Sequence, residues 1–305
     1  MKRFQSAILS LVAIVGIAVT ARADQPSTKA AADAARADIQ AAFGFVPAFV
    51  KALPDRALPG AWLELKSVQM NPGTALPGKI KELIGLAVAA QVPCKYCIYA
   101  HTQFAKLEGA SDDEVGEAVA VAALTRHWST FLNGIQTDET KFRAEIAGVV
   151  DYARKMMAGK VPPPKPMAVT DAKSARADVL QGFGAVPDFI KKFPDAGVAG
   201  AWQELRDVEM NPDTALPGKY KSLIGLAVSS QIPCKFCIIA DTEFAKLDGA
   251  TEQEIHEAIA MASIVRHWST FLNGLQVDEV GFKKDIDRLV KNAKKMAAAE
   301  AAKKH

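Results

Sequence analysis

Beyond its first two dozen residues the chain has no apolar run long enough to cross a bilayer. It also lacks a surplus of either charge once residues 1–23 are set aside. These carry Lys2, Arg3 and Arg22 and no acid, so 34 of the 37 basic side chains remain against 34 acidic ones. A balanced chain gives no reason to expect a nucleic-acid partner, and no stable membrane association is expected. Few stretches alternate polar and apolar residues with period two, which argues against a sheet. Cysteine is confined to four positions, all in two Cys-x-x-Cys motifs, Cys94/Cys97 and Cys234/Cys237.

What is present begins with a leader. Lys2 and Arg3 precede an apolar run from Ala7 to Val19, and Ala21-Arg22-Ala23 is a small-x-small cleavage signature. Residues 1–23 read as a secretory signal peptide, so the mature protein is expected to be periplasmic or secreted. An uncleaved anchor is the competing reading, but the run is short for a span. Export places the cysteines in an oxidising compartment.

The mature chain is a tandem repeat with an offset of 140 residues. Arg126–Gly134 recurs without change at 266–274, Met70-Asn71-Pro72 returns as Met210-Asn211-Pro212, and Leu83–Val88 equals Leu223–Val228. Two duplicated domains are expected, at 29–158 and 170–298. The Pro-rich segment 159–169 is a stiff linker between them, and a basic tail at 299–305 follows. Apolar residues recur at spacings of three and four, so each copy reads as all-α. In the first copy helices are expected at Thr28–Phe43, Ala48–Leu53, Pro59–Val68 and Pro77–Gln91. The motif helix runs from Pro93 to about Gly109. Ser111-Asp112-Asp113-Glu114 is a capping box for a long helix, Thr251-Glu252-Gln253-Glu254 repeats it, and Thr137 begins the last helix of the copy.

The chemistry concentrates in Cys94-Lys95-Tyr96-Cys97-Ile98-Tyr99-Ala100-His101. At 100° per residue, Cys94, Cys97 and His101 fall within an arc of about 60°. Cys97 and His101 are an i, i+4 pair whose side chains meet, so an imidazole there can take the thiol proton. Cys94 in the first turn faces free backbone N–H groups that also favour a thiolate. The matched base is the more specific feature and points to Cys97 as the attacking thiol, with Cys94 resolving. A short turn at Val92-Pro93 makes the two helices antiparallel, and Glu82 and His101 each lie roughly 12–13 Å from it. They are therefore level, and Glu82 can orient His101 in a Glu–His–Cys relay.

The second copy keeps Cys234 and Cys237 but has Ser222 for Glu82 and Asp241 for His101. An anionic Asp241 beside Cys237 disfavours a thiolate, so this pair reads as a secondary or degenerate site. Covalent haem needs His directly after the second Cys, and Ile98 and Ile238 stand there. Zinc held by Cys94, Cys97 and His101 lacks a fourth ligand. A structural disulfide closing so short a loop constrains little of the unfolded chain. Redox use is the better account, and no metal or other cofactor is called for. His127 and His267 are expected to pack inside their long helix, Trp62, Trp128, Trp202 and Trp268 to serve core or subunit contacts, and Met70 and Met210 to fill core.

Glu82, twelve residues to Cys94, Cys97, four more to His101, then Gly109-Ala110-Ser111 and the acidic capping box resemble the carboxymuconolactone decarboxylase / alkylhydroperoxidase D-like (AhpD-like) family. The likeness covers about residues 60–135 and 200–275, and Ser222 and Asp241 depart from it. It implies a tandem duplication of an all-helical domain and homo-oligomers, here a trimer of tandem chains. It also implies peroxidase or disulfide-reductase chemistry at the cysteine pair. By that resemblance Cys97 attacks a peroxide substrate and becomes a sulfenic acid, Cys94 condenses with it to a disulfide, and Glu82 and His101 relay protons. Export then requires an exported thiol reductant as partner. Two other classes stay open: a lyase of the decarboxylase branch, in which the cysteines are incidental, and a non-enzymatic oligomeric binding module with inert disulfides.

Overall fold

A computed structural model describes residues 27–302; the signal-peptide reading of residues 1–23 lies outside them. Among the described residues there is no strand, and the fold is all-α. The first copy supplies α1 (Thr28–Phe43), α2 (Ala48–Lys51), α3 (Leu58–Glu64), α4 (Gly78–Gln91), α5 (Lys95–Leu107), α6 (Asp112–Gly134) and α7 (Glu139–Met157). The second supplies α8 (Ala172–Phe183), α9 (Asp188–Lys192), α10 (Asp195–Glu204), α11 (Gly218–Gln231), α12 (Lys235–Leu247), α13 (Glu252–Gly274) and α14 (Glu279–Ala302). No helix among the described residues is long and apolar enough to cross a membrane.

Local chemistry sets the boundaries. Both capping boxes form: Ser111 N donates to Glu114 at 2.8 Å while Glu114 N donates to Ser111 Oγ at 3.1 Å, and Thr251 and Glu254 do the same. Ser27, not Thr28, caps α1, and Asp138 caps α7 one residue past Thr137. The helix expected at Pro59–Val68 stops being regular at Leu65. Leu65–Gln69 form a π-helical turn in which Met70 N reaches back five residues to Leu65 O at 3.1 Å. Leu205–Met210 repeat that turn in the second copy. α14 runs to Ala302, into the segment 299–305 read as a basic tail.

α4 is buried all round, every residue from Ile80 to Ala89, with the charged Lys81 and Glu82 among them, as in a helix at the centre of a protein. α11 is its counterpart, and the two pack against each other. α6 and α13 each pack on both central helices, so one core holds Leu83, Ile84 and Val88 with Leu223, Ile224 and Val228. Each such fully buried side chain stabilises the fold by roughly 1.5–3 kcal/mol.

The two copies interleave rather than stand side by side. The last helix of each lies on the motif helix of the other: α14 on α5, and α7 on α12. Tyr96 donates to Val277 O and Tyr99 to Asp287, both at 2.6 Å, and Phe142 meets Phe236 edge-on. Each motif helix packs on the central helix of its own copy, α5 on α4 and α12 on α11, and is covered on a further side by the last helix of the other copy, so neither copy encloses its motif helix alone.

Candidate active site

The first Cys-x-x-Cys lies where α4 hands over to α5. Val92 N closes α4 on Val88 O, and Cys94 N reaches Ala89 O at 2.9 Å. The motif helix starts at Lys95 rather than Pro93, and Cys94 caps it instead of standing in its first turn. The Cys94 Sγ accepts the Cys97 N–H at 3.3 Å. A sulfur in the N-cap place faces free N–H groups and the positive helix end, which stabilise a thiolate. Cys94 is bonded to Cys97, and Cys234 to Cys237. Cys94 is sealed in the core, whereas Cys97 lines a cavity.

Glu82 and His101 meet. His101 Nδ1 lies 2.7 Å from Glu82 Oε2, and both residues are only 6% exposed. With the carboxylate accepting from Nδ1–H, the neutral ring has Nε2 free to accept a proton. His101 stands one turn beyond Cys97 on α5, the position from which a base serves that thiol. Glu82 is steadied from a side the spacing did not reveal: Gln69, on the π-helical turn, donates Nε2–H to Glu82 Oε1 at 2.9 Å. Gly85 makes room for the imidazole. A Cβ at Gly85 would stand 2.4 Å from His101 Cε1 and Nδ1, closer than real Cβ contacts come.

The cavity beside Cys97 measures about 530 Å³. Glu82, Cys97 and His101 occupy one side, and its walls are mostly apolar. Phe43, Phe49 and Trp62 come from the first copy, and Trp268 and Phe282 from α13 and α14 of the second. Exposed Met70 and Glu108 stand at its rim. The second copy has a matching cavity of about 360 Å³, lined by Cys237, Asp241, Ser222 and Glu209 and walled by Trp128 and Phe142 of the first copy. Each site is therefore composite.

Residues 56–137 and 196–279 match the family model described as "Carboxymuconolactone decarboxylase family", and together these segments span more than half of the chain. The chain belongs to the carboxymuconolactone decarboxylase family. A relative named "Uncharacterized protein 4 in cox locus", from Paracoccus denitrificans, is 41% identical over 66 residues, 22% of this chain. The chain spans 59% of that relative's length. No solved structure matches the chain.

Both copies of the carboxymuconolactone decarboxylase domain keep the cysteine geometry, since Cys234 Sγ also accepts from Cys237 N at 3.3 Å. They part at three joined positions, not two: Gln69, Glu82 and His101 correspond to Glu209, Ser222 and Asp241. The expected anionic Asp241 is not what the surroundings allow. Burial above all, and then the Glu209 charge, push its carboxyl well above the usual range, with the Ser229 hydroxyl opposing. Burial likewise raises Glu209 to about 7, with Lys221 pulling down and Glu117 pushing up. Both residues are partly exposed overall, yet Glu209 Oε2 and Asp241 Oδ2 are shut off from solvent and have no hydrogen-bond partner.

Other expectations are corrected. Met70 and Met210 are each 40% exposed at the cavity rims and fill no core. His127 and His267 are exposed rather than packed inside their helices; His127 stacks on Phe193 at 5.8 Å. Trp62 and Trp202 are core residues whose Nε1–H groups donate to Asp38 and Asp178. Among the described residues no cluster of three or more His, Cys, Asp and Glu side chains is arranged to hold a metal ion. Gln69, Gly85 and the second-copy walls are the parts of the site that motif spacing missed. The one available signal was Gln69 changing to Glu209 in step with its two neighbours.

Proposed function

We propose that the first copy is a thiol-dependent peroxidase acting on apolar organic hydroperoxides. The observation that carries this reading is the chain of contacts from Gln69 through Glu82 to His101, one turn from a cysteine that faces an apolar cavity. In the reduced protein His101 Nε2 takes the Cys97 proton. The thiolate attacks the terminal peroxide oxygen, the O–O bond breaks, and the alcohol leaves with the proton returned by His101. Cys97 is then a sulfenic acid. Cys94 attacks its sulfur, water leaves, and the disulfide forms. An external dithiol takes up the oxidising equivalents and restores both thiols. The signal-peptide reading of residues 1–23 supports export, and on that reading the proposed reductant is an exported carrier.

The test is a stopped-flow trace of the reduced protein with cumene hydroperoxide and with hydrogen peroxide. Wild type is expected to react faster with the organic peroxide, and Cys97→Ser to give no fast phase. Glu82→Gln is expected to slow that phase by about 100-fold, the worth of a positioned base. A fast phase that survives Cys97→Ser overturns the reading. The family's name also carries a lyase reading, which predicts decarboxylation that persists in the Cys94→Ser, Cys97→Ser double variant.

A further inference from the structure

The second copy has kept a cavity, a capped cysteine pair and a glycine that admits the side chain at position 241. A Cβ at Gly225 would lie 3.1 Å from the Asp241 carboxyl, which thus rests on α11 where His101 rests on α4. Asp241 stands one turn beyond Cys237 on α12, and both line the same cavity. Its Oδ2 has no partner in the protein. We infer that Cys234–Cys237 is a second dithiol–disulfide centre, in which the Asp241 carboxylic acid supplies the proton that a histidine relay handles in the first. This goes beyond the peroxidase reading, since it needs no peroxide.

The step balances with an external dithiol as reductant. Its thiolate attacks the cavity-facing Cys237 sulfur, the Cys234–Cys237 bond breaks, and the Cys234 thiolate is held at the N-terminus of α12. The second thiol of the reductant, having lost its proton to solvent, attacks its own sulfur in the mixed disulfide. Cys237 leaves and takes the Asp241 proton. Two electrons pass from the dithiol to the protein; the Cys234 thiolate and the Asp241 carboxylate each regain a proton from solvent.

The surroundings keep that acid protonated. Glu209 on the π-helical turn faces it, itself raised to about 7. Asp248, the residue that follows α12, stands exposed at the mouth. Lys221 of α11, the cation that pulls Glu209 down, is committed elsewhere: its Nζ donates to Val208 O and Asn211 O and pairs with Glu117 of α6 at 3.4 Å. Two acids that share one cavity resist ionising together, so the donor stays protonated to higher pH than an ordinary carboxyl. It is lost as pH rises through the raised value.

The experiment reduces the whole protein with dithiothreitol over a pH series, alkylates the thiols, and maps the two motif peptides separately by mass. Each rate is divided by the concentration of dithiothreitol thiolate. For the Cys234–Cys237 peptide the corrected rate is expected to fall about tenfold or more from the acid to the alkaline end of the series, the scale of a positioned proton donor. In Asp241→Asn it is expected to be low and independent of pH. Identical profiles in wild type and Asp241→Asn overturn the inference, as does a second pair that stays oxidised while Cys94–Cys97 is reduced. Should the variant fail to fold, a corrected wild-type rate that does not change with pH overturns it as well. No peroxide enters this assay, so failure here and failure of the Cys97 burst are separate results.

Discussion

At the scale of single residues, the Glu82–His101 contact was legible because it rests on arithmetic. Two helices joined by a tight turn must bring level residues together, and the 2.7 Å bond follows. Gly85 was not legible, because one glycine in an apolar helical run reads as packing. Its function is to leave a hole. In Gly85→Ala the new Cβ collides with the imidazole, and the His101–Glu82 bond breaks. The peroxide rate is expected to fall at least tenfold, with a stability loss of about 1–3 kcal/mol. Gly225→Ala, whose nearest clash is a softer 3.1 Å, is expected to fold more nearly as wild type. A Gly85→Ala protein with the full peroxide rate would show that His101 has no part in the chemistry. Glu209 gives a second test. Its carboxyl sits near 4.5 in the unfolded chain and is raised to about 7 in the fold. The folded state therefore holds a proton that the unfolded state releases, and stability is lost as pH climbs from the first value through the second. Glu209→Gln removes that penalty. It is expected to raise stability by up to about 3 kcal/mol at pH 8 and to change it little near pH 4, read from urea midpoints.

At the scale of elements, caps and prolines announced most helix ends, since each supplies a hydrogen bond or a fixed φ that the chain needs there. The π-helical turns were invisible. They depend on one extra residue inside a stretch whose period looks helical, yet that residue aims Gln69 at Glu82. Equally hidden was the clasp on the loop before α4. Glu257 of α13 accepts from Thr74 Oγ1 at 2.5 Å, Ala75 N at 2.7 Å and Leu76 N at 3.2 Å. It also pairs with the wholly buried Lys81 at 3.2 Å. Glu117 of α6 performs the same task for Thr214, Leu216 N and Lys221. Removing one partner of a buried pair leaves the other uncompensated, so Glu257→Ala is expected to cost about 3–5 kcal/mol. Chemical denaturation measures it, and a loss below about 1 kcal/mol would place the pair among ordinary surface bridges.

At the scale of the whole molecule, the repeat and the linker were plain in the sequence, but the exchange of helices was not. Periodicity says which face of a helix is apolar and nothing about which copy will cover it. The covering decides what the linker does. α14 seals α5, α7 seals α12, and the central helices of both copies share one core, so the halves are held by buried surface rather than by residues 159–169. A protease site inserted between Pro163 and Pro164 in that exposed stretch tests this directly. After cleavage the two fragments are expected to elute together at the size of the intact chain and to keep the wild-type peroxide rate. They should separate only in denaturant, at a midpoint that now falls on dilution because folding has become an association. The first fragment made alone lacks Trp268, Phe282 and the rest of the second-copy wall, so it is expected to lose the Cys97 burst even where the motif residues are all present. Fragments that part in native buffer, with the first still active, would mean that each copy closes its own site.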